Sequence, residues 1–189
     1  MPNLSTRVRD LGPLPPEEVA QIGRAIALAL SAAHRRGMLH RDVQPVNILL
    51  DADGRAQLGA FNATRIPGAA PGIGHAGHAG GGDFIAPEVL AGQRGDARAD
   101  LYALGMSLYY ALTGRLPHRS SAHLPPSVLT DGQRPSLVRS GIPGWLDDAI
   151  ARATAVLPAD RYASAARLAD ALTRGERTAL AGNGGIGVE

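Results

Sequence analysis

The run His40-Arg41-Asp42-Val43-Gln44-Pro45-Val46-Asn47 gathers an imidazole, a guanidinium, a carboxylate and two amides within one short stretch. A carboxylate can accept a proton and an amide oxygen can face a hard cation, so these residue types suit proton transfer and metal-assisted chemistry. Gln44 stands between them, able to donate a hydrogen bond but bringing no charge. Other groups of chemical interest carry less. Gly72-Ile73-Gly74-His75-Ala76-Gly77 and Gly182-Asn183-Gly184-Gly185-Ile186-Gly187 both read G-x-G-x-x-G. Neither follows a strand and opens a helix, so phosphates would meet no helix amino terminus, and composition bias explains both. His75 and His78 read better as surface residues than as a metal pair, and Asp51 with Asp53 fits a hairpin turn better than a calcium loop.

The elements that must position this run are legible around it. Pro15-Pro16-Glu17-Glu18 predicts a helix start, since Pro suits the first turn and carboxylates favour its positive end; Val19, Ile22, Ile26 and Leu30 then recur at helical spacing until Arg35-Arg36-Gly37. Short extended pieces follow at Met38-Leu39, Ile48-Leu49-Leu50 and Ala56-Gln57-Leu58, the last two flanking the turn Asp51-Ala52-Asp53-Gly54. From Pro67 to Gly82 the sequence is almost only Gly, Ala, Pro and His, which predicts a flexible loop over 61–83, with order resuming at Phe84. Asp96 is placed to cap a buried central helix carrying Leu101, Leu104, Leu108 and Leu112, stopped by Gly114. A Pro- and Ser-rich connection spans Pro117 to Pro135. Trp145, Leu146, Ile150 and Ala153 mark a further helix, and Ser164 caps a last one through Leu168 and Leu172, expected to end at Gly175 and leave a disordered tail over 176–189.

At 189 residues with 44% apolar content the chain is sized for one domain with a real core, here residues 1–175. Nineteen basic residues, all Arg, stand against 17 acidic ones, and a net charge of +2 does not call for nucleic acid or an anionic membrane as partner. The absence of Cys rules out disulfides and thiolate metal sites. No apolar run is long enough to span a bilayer and Met1-Pro2-Asn3-Leu4 begins no signal peptide, so the expected location is cytoplasmic.

Four separated motifs, in order, resemble the carboxy-terminal lobe of a bacterial-type serine/threonine protein kinase, over roughly Leu4 to Arg174. They are His40 to Asn47, matching H-R-D-x-x-x-x-N; Ala60-Phe61-Asn62, where Asp-Phe-Gly is expected; Ala86-Pro87-Glu88; and Asp100-Leu101-Tyr102-Ala103-Leu104-Gly105. The resemblance implies a mainly α member of an α+β family, helical with short β-hairpins around the catalytic loop. It implies that Asp42 holds the position of the catalytic base and Asn47 that of a nucleotide-associated Mg²⁺ ligand. It also implies packing roles for His40 and Phe61, a phosphate-receiving role for Arg41, a grip on the catalytic loop for Asp100, and a buried Glu88–Arg161 ion pair.

The departures from the pattern set the functional expectation. Gln44 stands where the family has Lys, and Ala60 where it has the second metal-binding Asp. Thr64 is the sole hydroxyl side chain between Phe61 and Glu88, and Gly80-Gly81-Gly82 replaces the Thr that positions substrate. The chain starts where a kinase's hinge would end, so the Gly-rich loop, the strand Lys and its Glu partner are missing, and half a nucleotide pocket is expected. ATP and Mg²⁺ are therefore not expected as cofactors. The leading expectation is a pseudokinase-like lobe working by binding another protein, with the face that would meet an amino lobe, Leu49 included, as the partner surface. The alternative is part of an active serine/threonine kinase, using ATP and Mg²⁺.

Overall fold

The computed structural model describes residues 1–59, 81–117 and 133–183. Their order is α1 (Leu4–Leu11), α2 (Pro16–His34), a 3₁₀ turn (Pro45–Asn47), β1 (Ile48–Leu50), β2 (Ala56–Leu58), a 3₁₀ turn (Gly81–Phe84), α3 (Pro87–Leu90), α4 (Ala97–Thr113), α5 (Pro135–Val138), α6 (Gly144–Ala153), a 3₁₀ turn (Pro158–Asp160) and α7 (Ala165–Asn183). The fold is mainly helical, with one antiparallel hairpin in which Ile48 faces Leu58 and Leu50 faces Ala56.

The centre is α4. Every residue from Asp100 to Tyr109 is buried, because this helix is covered by α2 on one side and α6 on another. Asp96 caps it by accepting from the Arg98 backbone N–H, and Gly114 ends it in the left-handed conformation at φ 70°, where a side chain would be strained. The α2 residues Val19, Ile22, Ile26 and Leu30 turn inward on Leu104, Leu108 and Leu112 of α4 and on Leu168 and Leu172 of α7, forming one continuous core. Each such side chain stabilises the fold by roughly 1.5–3 kcal/mol. A smaller cluster of Ala86, Tyr102 and Met106, flanked by Phe84 and Val89, holds the segment around α3 against the other side of α4.

Several expectations meet a different structure. Met38-Leu39 belongs to no strand. A 3₁₀ turn already spans Gly81–Phe84, ahead of the start expected at Phe84. Helix α1 had no sequence forecast; it is opened by a reciprocal cap in which the Asn3 side chain accepts from the Thr6 N–H and the Thr6 hydroxyl accepts from the Asn3 N–H. The tail expected from Glu176 is helical as far as Asn183, because Gly175 does not end α7. Instead it lets α7 cross α6 at Trp145: a Cβ at Gly175 would collide with the Trp145 ring, whose Cγ would lie 2.8 Å away. Residues 60–80, 118–132 and 184–189 lie outside the described residues, and with them His75, His78 and the first Gly-rich pattern. Among the described residues no helix is long and apolar enough to cross a membrane.

Candidate active site

The loop from His40 to Asn47 is assembled between the end of α2 and the start of β1, and a residue of α4 fixes its shape. Asp100, buried inside α4, accepts the His40 backbone N–H on Oδ2 at 2.9 Å and the Arg41 N–H on Oδ1 at 2.7 Å. The His34 imidazole, at the last residue of α2, contributes a third contact at 2.8 Å from Nε2 to Oδ2. A buried carboxylate is tolerated when hydrogen bonds satisfy its lone pairs, and here they tie α2, α4 and the loop into one unit.

Those two N–H bonds hold Arg41 in a left-handed backbone conformation, φ 63°, the one positive φ at a non-glycine among the described residues. Its side chain is exposed. His40, buried, hydrogen-bonds the Gly59 carbonyl through Nε2 at 2.9 Å, while its Nδ1 accepts from the Asp42 N–H at 3.3 Å. A proton on Nε2 satisfies both contacts, so the ring bridges the loop to the end of β2.

Within the loop, Asp42 is engaged from both sides. Gln44 Nε2 donates to Oδ1 at 2.6 Å; Asn47 Nδ2 donates to Oδ2 at 2.8 Å and to the Asp42 main-chain carbonyl at 2.8 Å. Gln44 is buried, and Asp42 and Asn47 are half-buried. The spacing of two and five residues lets both amides fold back on one carboxylate because Pro45 begins a 3₁₀ turn between them. With Nδ2 committed to Asp42, Asn47 offers a cation a single neutral oxygen. Among the described residues no group of three or more His, Asp or Glu side chains is placed to hold a metal.

The sequence-derived candidates divide accordingly. His40, Arg41, Asp42, Gln44, Asn47 and Asp100 converge on the loop. Glu88 and Arg161 lie apart from it, pairing in bidentate fashion at 2.8 and 2.7 Å. The Arg161 side chain is fully buried; it also donates to the carbonyls of Ala155, Val156 and Arg98, and its guanidinium lies 4.8 Å from the centre of the Tyr102 ring. This clamp joins α3 to the turn before α7. Ala60 and Phe61 lie outside the described residues. His34 was not foreseen: nothing local in the sequence marks a helix-ending His as the third partner of Asp100. Asp51 accepts from the Asp53 and Arg55 N–H groups, so the acidic pair builds the hairpin turn. Leu49 is half-buried, and the outer edge of β1 is not bare, since Leu50 N–H donates to the Pro2 carbonyl and Asn3 bridges to Leu49.

A central buried helix that grips a His-Arg-Asp loop, with a Glu–Arg clamp fastening the segment beyond it, defines the carboxy-terminal lobe of a protein kinase. Residues 1–134 match the protein kinase domain family, and the chain belongs to that family. It is 38% identical over 157 residues to serine/threonine-protein kinase PknL of Mycobacterium tuberculosis, covering 82% of this chain and 39% of that protein. It is 42% identical over 177 residues to PknK of the same organism, covering 90% of this chain and 16% of that protein. Among solved structures the Mycobacterium tuberculosis PknI kinase domain superposes with a TM-score of 0.67 at 32% identity, covering 92% of this chain and 61% of that one. The chain thus spans well under half the length of these two curated relatives.

Proposed function

We propose that this chain is a bacterial-type protein-kinase-like lobe with impaired phosphoryl transfer, acting through binding or regulation of another protein. The observation that carries the reading is the closed Asp42–Gln44–Asn47 cluster, in which neutral amides occupy both oxygens of the carboxylate at the base position. The two amides take one lone-pair site on each oxygen and fix the orientation of the carboxylate, while the transferred phosphoryl group needs positive charge beside it. Gln44 supplies no such charge, and Ala60 offers a methyl group where the family places a metal-binding carboxylate. Loss of one preorganised electrostatic group costs roughly 2–4 kcal/mol of transition-state stabilisation, about a hundred- to a thousandfold in rate. Among the described residues the donor set around Asn47 does not fit a Mg²⁺ ion, which needs several oxygen ligands in fixed geometry.

A second reading has its own support. The relatives at 38% and 42% identity are named serine/threonine-protein kinases, and Asp42 and Asn47 keep the family's residue types, as part of an ATP-dependent Ser/Thr kinase would. One experiment separates the two. The purified chain is incubated with labelled ATP and Mg²⁺ or Mn²⁺, and its melting temperature is followed with and without nucleotide. No label transfer and no thermal shift are expected; phosphorylation abolished by Asp42→Ala would overturn the first reading in favour of the second.

A further inference from the structure

A shallow groove of about 300 Å³ runs between α2 and α7, away from the catalytic loop, lined by Arg24, Leu28, Ala169, Asp170, Thr173 and Arg174. Leu28 stands out on its helix: Ile26, Ala27 and Leu30 are buried, whereas Leu28 is 48% exposed at the groove. Two cations, Arg24 and Arg174, and one acid, Asp170, line it. Arg7, Arg9, Arg55, Arg98, Arg134 and Arg161 each pair with a carboxylate, but Arg24 and Arg174 pair with none among the described residues. Exposed Arg167 and Arg177 continue the α7 stripe that carries Asp170 and Arg174, at spacings of three, four and three residues, so cations outnumber the single acid.

We propose that this groove docks an acidic amphipathic segment of another protein, with an apolar side chain seated on Leu28 and Ala169 and carboxylates paired with Arg24 and Arg174. The apolar floor is what distinguishes this occupant from a polyanion such as RNA. A phosphate backbone has nothing to bury against Leu28, and it would bring its charge against Asp170. Carboxylates spaced along a peptide helix can meet both Arg residues and still avoid Asp170, while its apolar face covers the leucine. No residue of the catalytic loop lines the groove, so docking stands whether or not the chain transfers phosphate.

The test uses the full chain and a fluorescent synthetic helix of Glu and Leu, read by anisotropy, beside a twin peptide with Lys in place of every Glu. The acidic peptide should bind in the micromolar range, weaken as salt rises, and leave the Lys peptide unbound. Arg24→Glu combined with Arg174→Glu should weaken binding by at least about tenfold, Leu28→Ser should weaken it, and Asp170→Asn should tighten it. These positions are on the surface, so the melting temperature of each variant should stay near that of the parent. The proposal is overturned if the acidic peptide fails to bind at about millimolar concentration, if the double variant binds it unchanged, or if poly(U) RNA or phosphatidylserine vesicles bind more tightly than the peptide.

Discussion

Gly175→Ala sets two effects of opposite sign against each other. In an isolated helix the change would stabilise by about 1 kcal/mol, because Gly is the poorer helix former. At this position, however, the new Cβ would overlap the Trp145 ring, with Cγ only 2.8 Å away and two ring atoms closer still. Rotation of the indole about its Cβ–Cγ bond leaves Cγ in place, so relief requires a change of χ1 or a shift of α7 away from α6. Overpacking of this kind costs roughly 1–3 kcal/mol, which exceeds the propensity gain over most of its range. The expected net is a loss of up to about 2 kcal/mol, centred on about 1 kcal/mol, with melting temperature falling by roughly 2–4 °C for each kcal/mol lost. Urea denaturation followed by circular dichroism gives the free energy, and Trp145, the chain's single Trp, reports the local change by fluorescence. Gly144→Ala is the control, since nothing lies within 4 Å of a Cβ there, and it should be neutral or slightly stabilising. A Gly175→Ala chain that is more stable than the parent by the full propensity gain of about 1 kcal/mol, with unchanged Trp emission, refutes the packing argument.

Glu88→Ala leaves the Arg161 guanidinium buried without its carboxylate, and unfolding free energy should drop by about 3–5 kcal/mol; a loss under about 1 kcal/mol in the same urea assay would contradict the clamp. Asp96 has its carboxyl held below the usual range by the Arg98 side chain. A lowered native pKa means that the unfolded chain binds more protons in acid, so this contribution is present above the ordinary carboxylate value and lost as pH falls through the native one. Below roughly pH 4 the parent should therefore lose stability more steeply than Asp96→Asn, by a small margin because the group is largely exposed, and parallel acid titrations of the two chains would detect it.

Where the sequence was informative, local rules carried the information. The starts of α2 and α4, the hairpin turn and the inward faces of α2, α4 and α6 follow from Pro, Asp and Gly placement and from apolar spacing sustained over two or more turns. Helix α1 escaped because it is only eight residues long, and its Asn3–Thr6 cap lacks the acidic residue that usually marks such a start. Gly175 was misread because a glycine after a periodic run is ordinarily a stop, and only the position of Trp145 in space shows otherwise. At the site, the Asp42–Gln44–Asn47 cluster was within reach of sequence reasoning, since its partners are two and five residues apart. Asp100 acts across a separation of 60 residues, which leaves no local trace and becomes visible only through the family pattern. His34 has neither kind of signal.

Arg41 gives the loop a second identity. An L-residue in the left-handed region lies about 1–2 kcal/mol above its preferred conformations, and here two hydrogen bonds, donated by adjacent N–H groups to the Asp100 carboxylate, hold that displacement. The exposed Arg41 guanidinium is therefore connected through a tensioned backbone to the buried middle of α4. Any slip of that helix that lengthens the Asp100 contacts lets Arg41 relax toward negative φ and swings its side chain across the surface. The loop is in this sense a gauge of the core beneath it, and a spectroscopic label near Arg41 should change when the Asp100 contacts are lost.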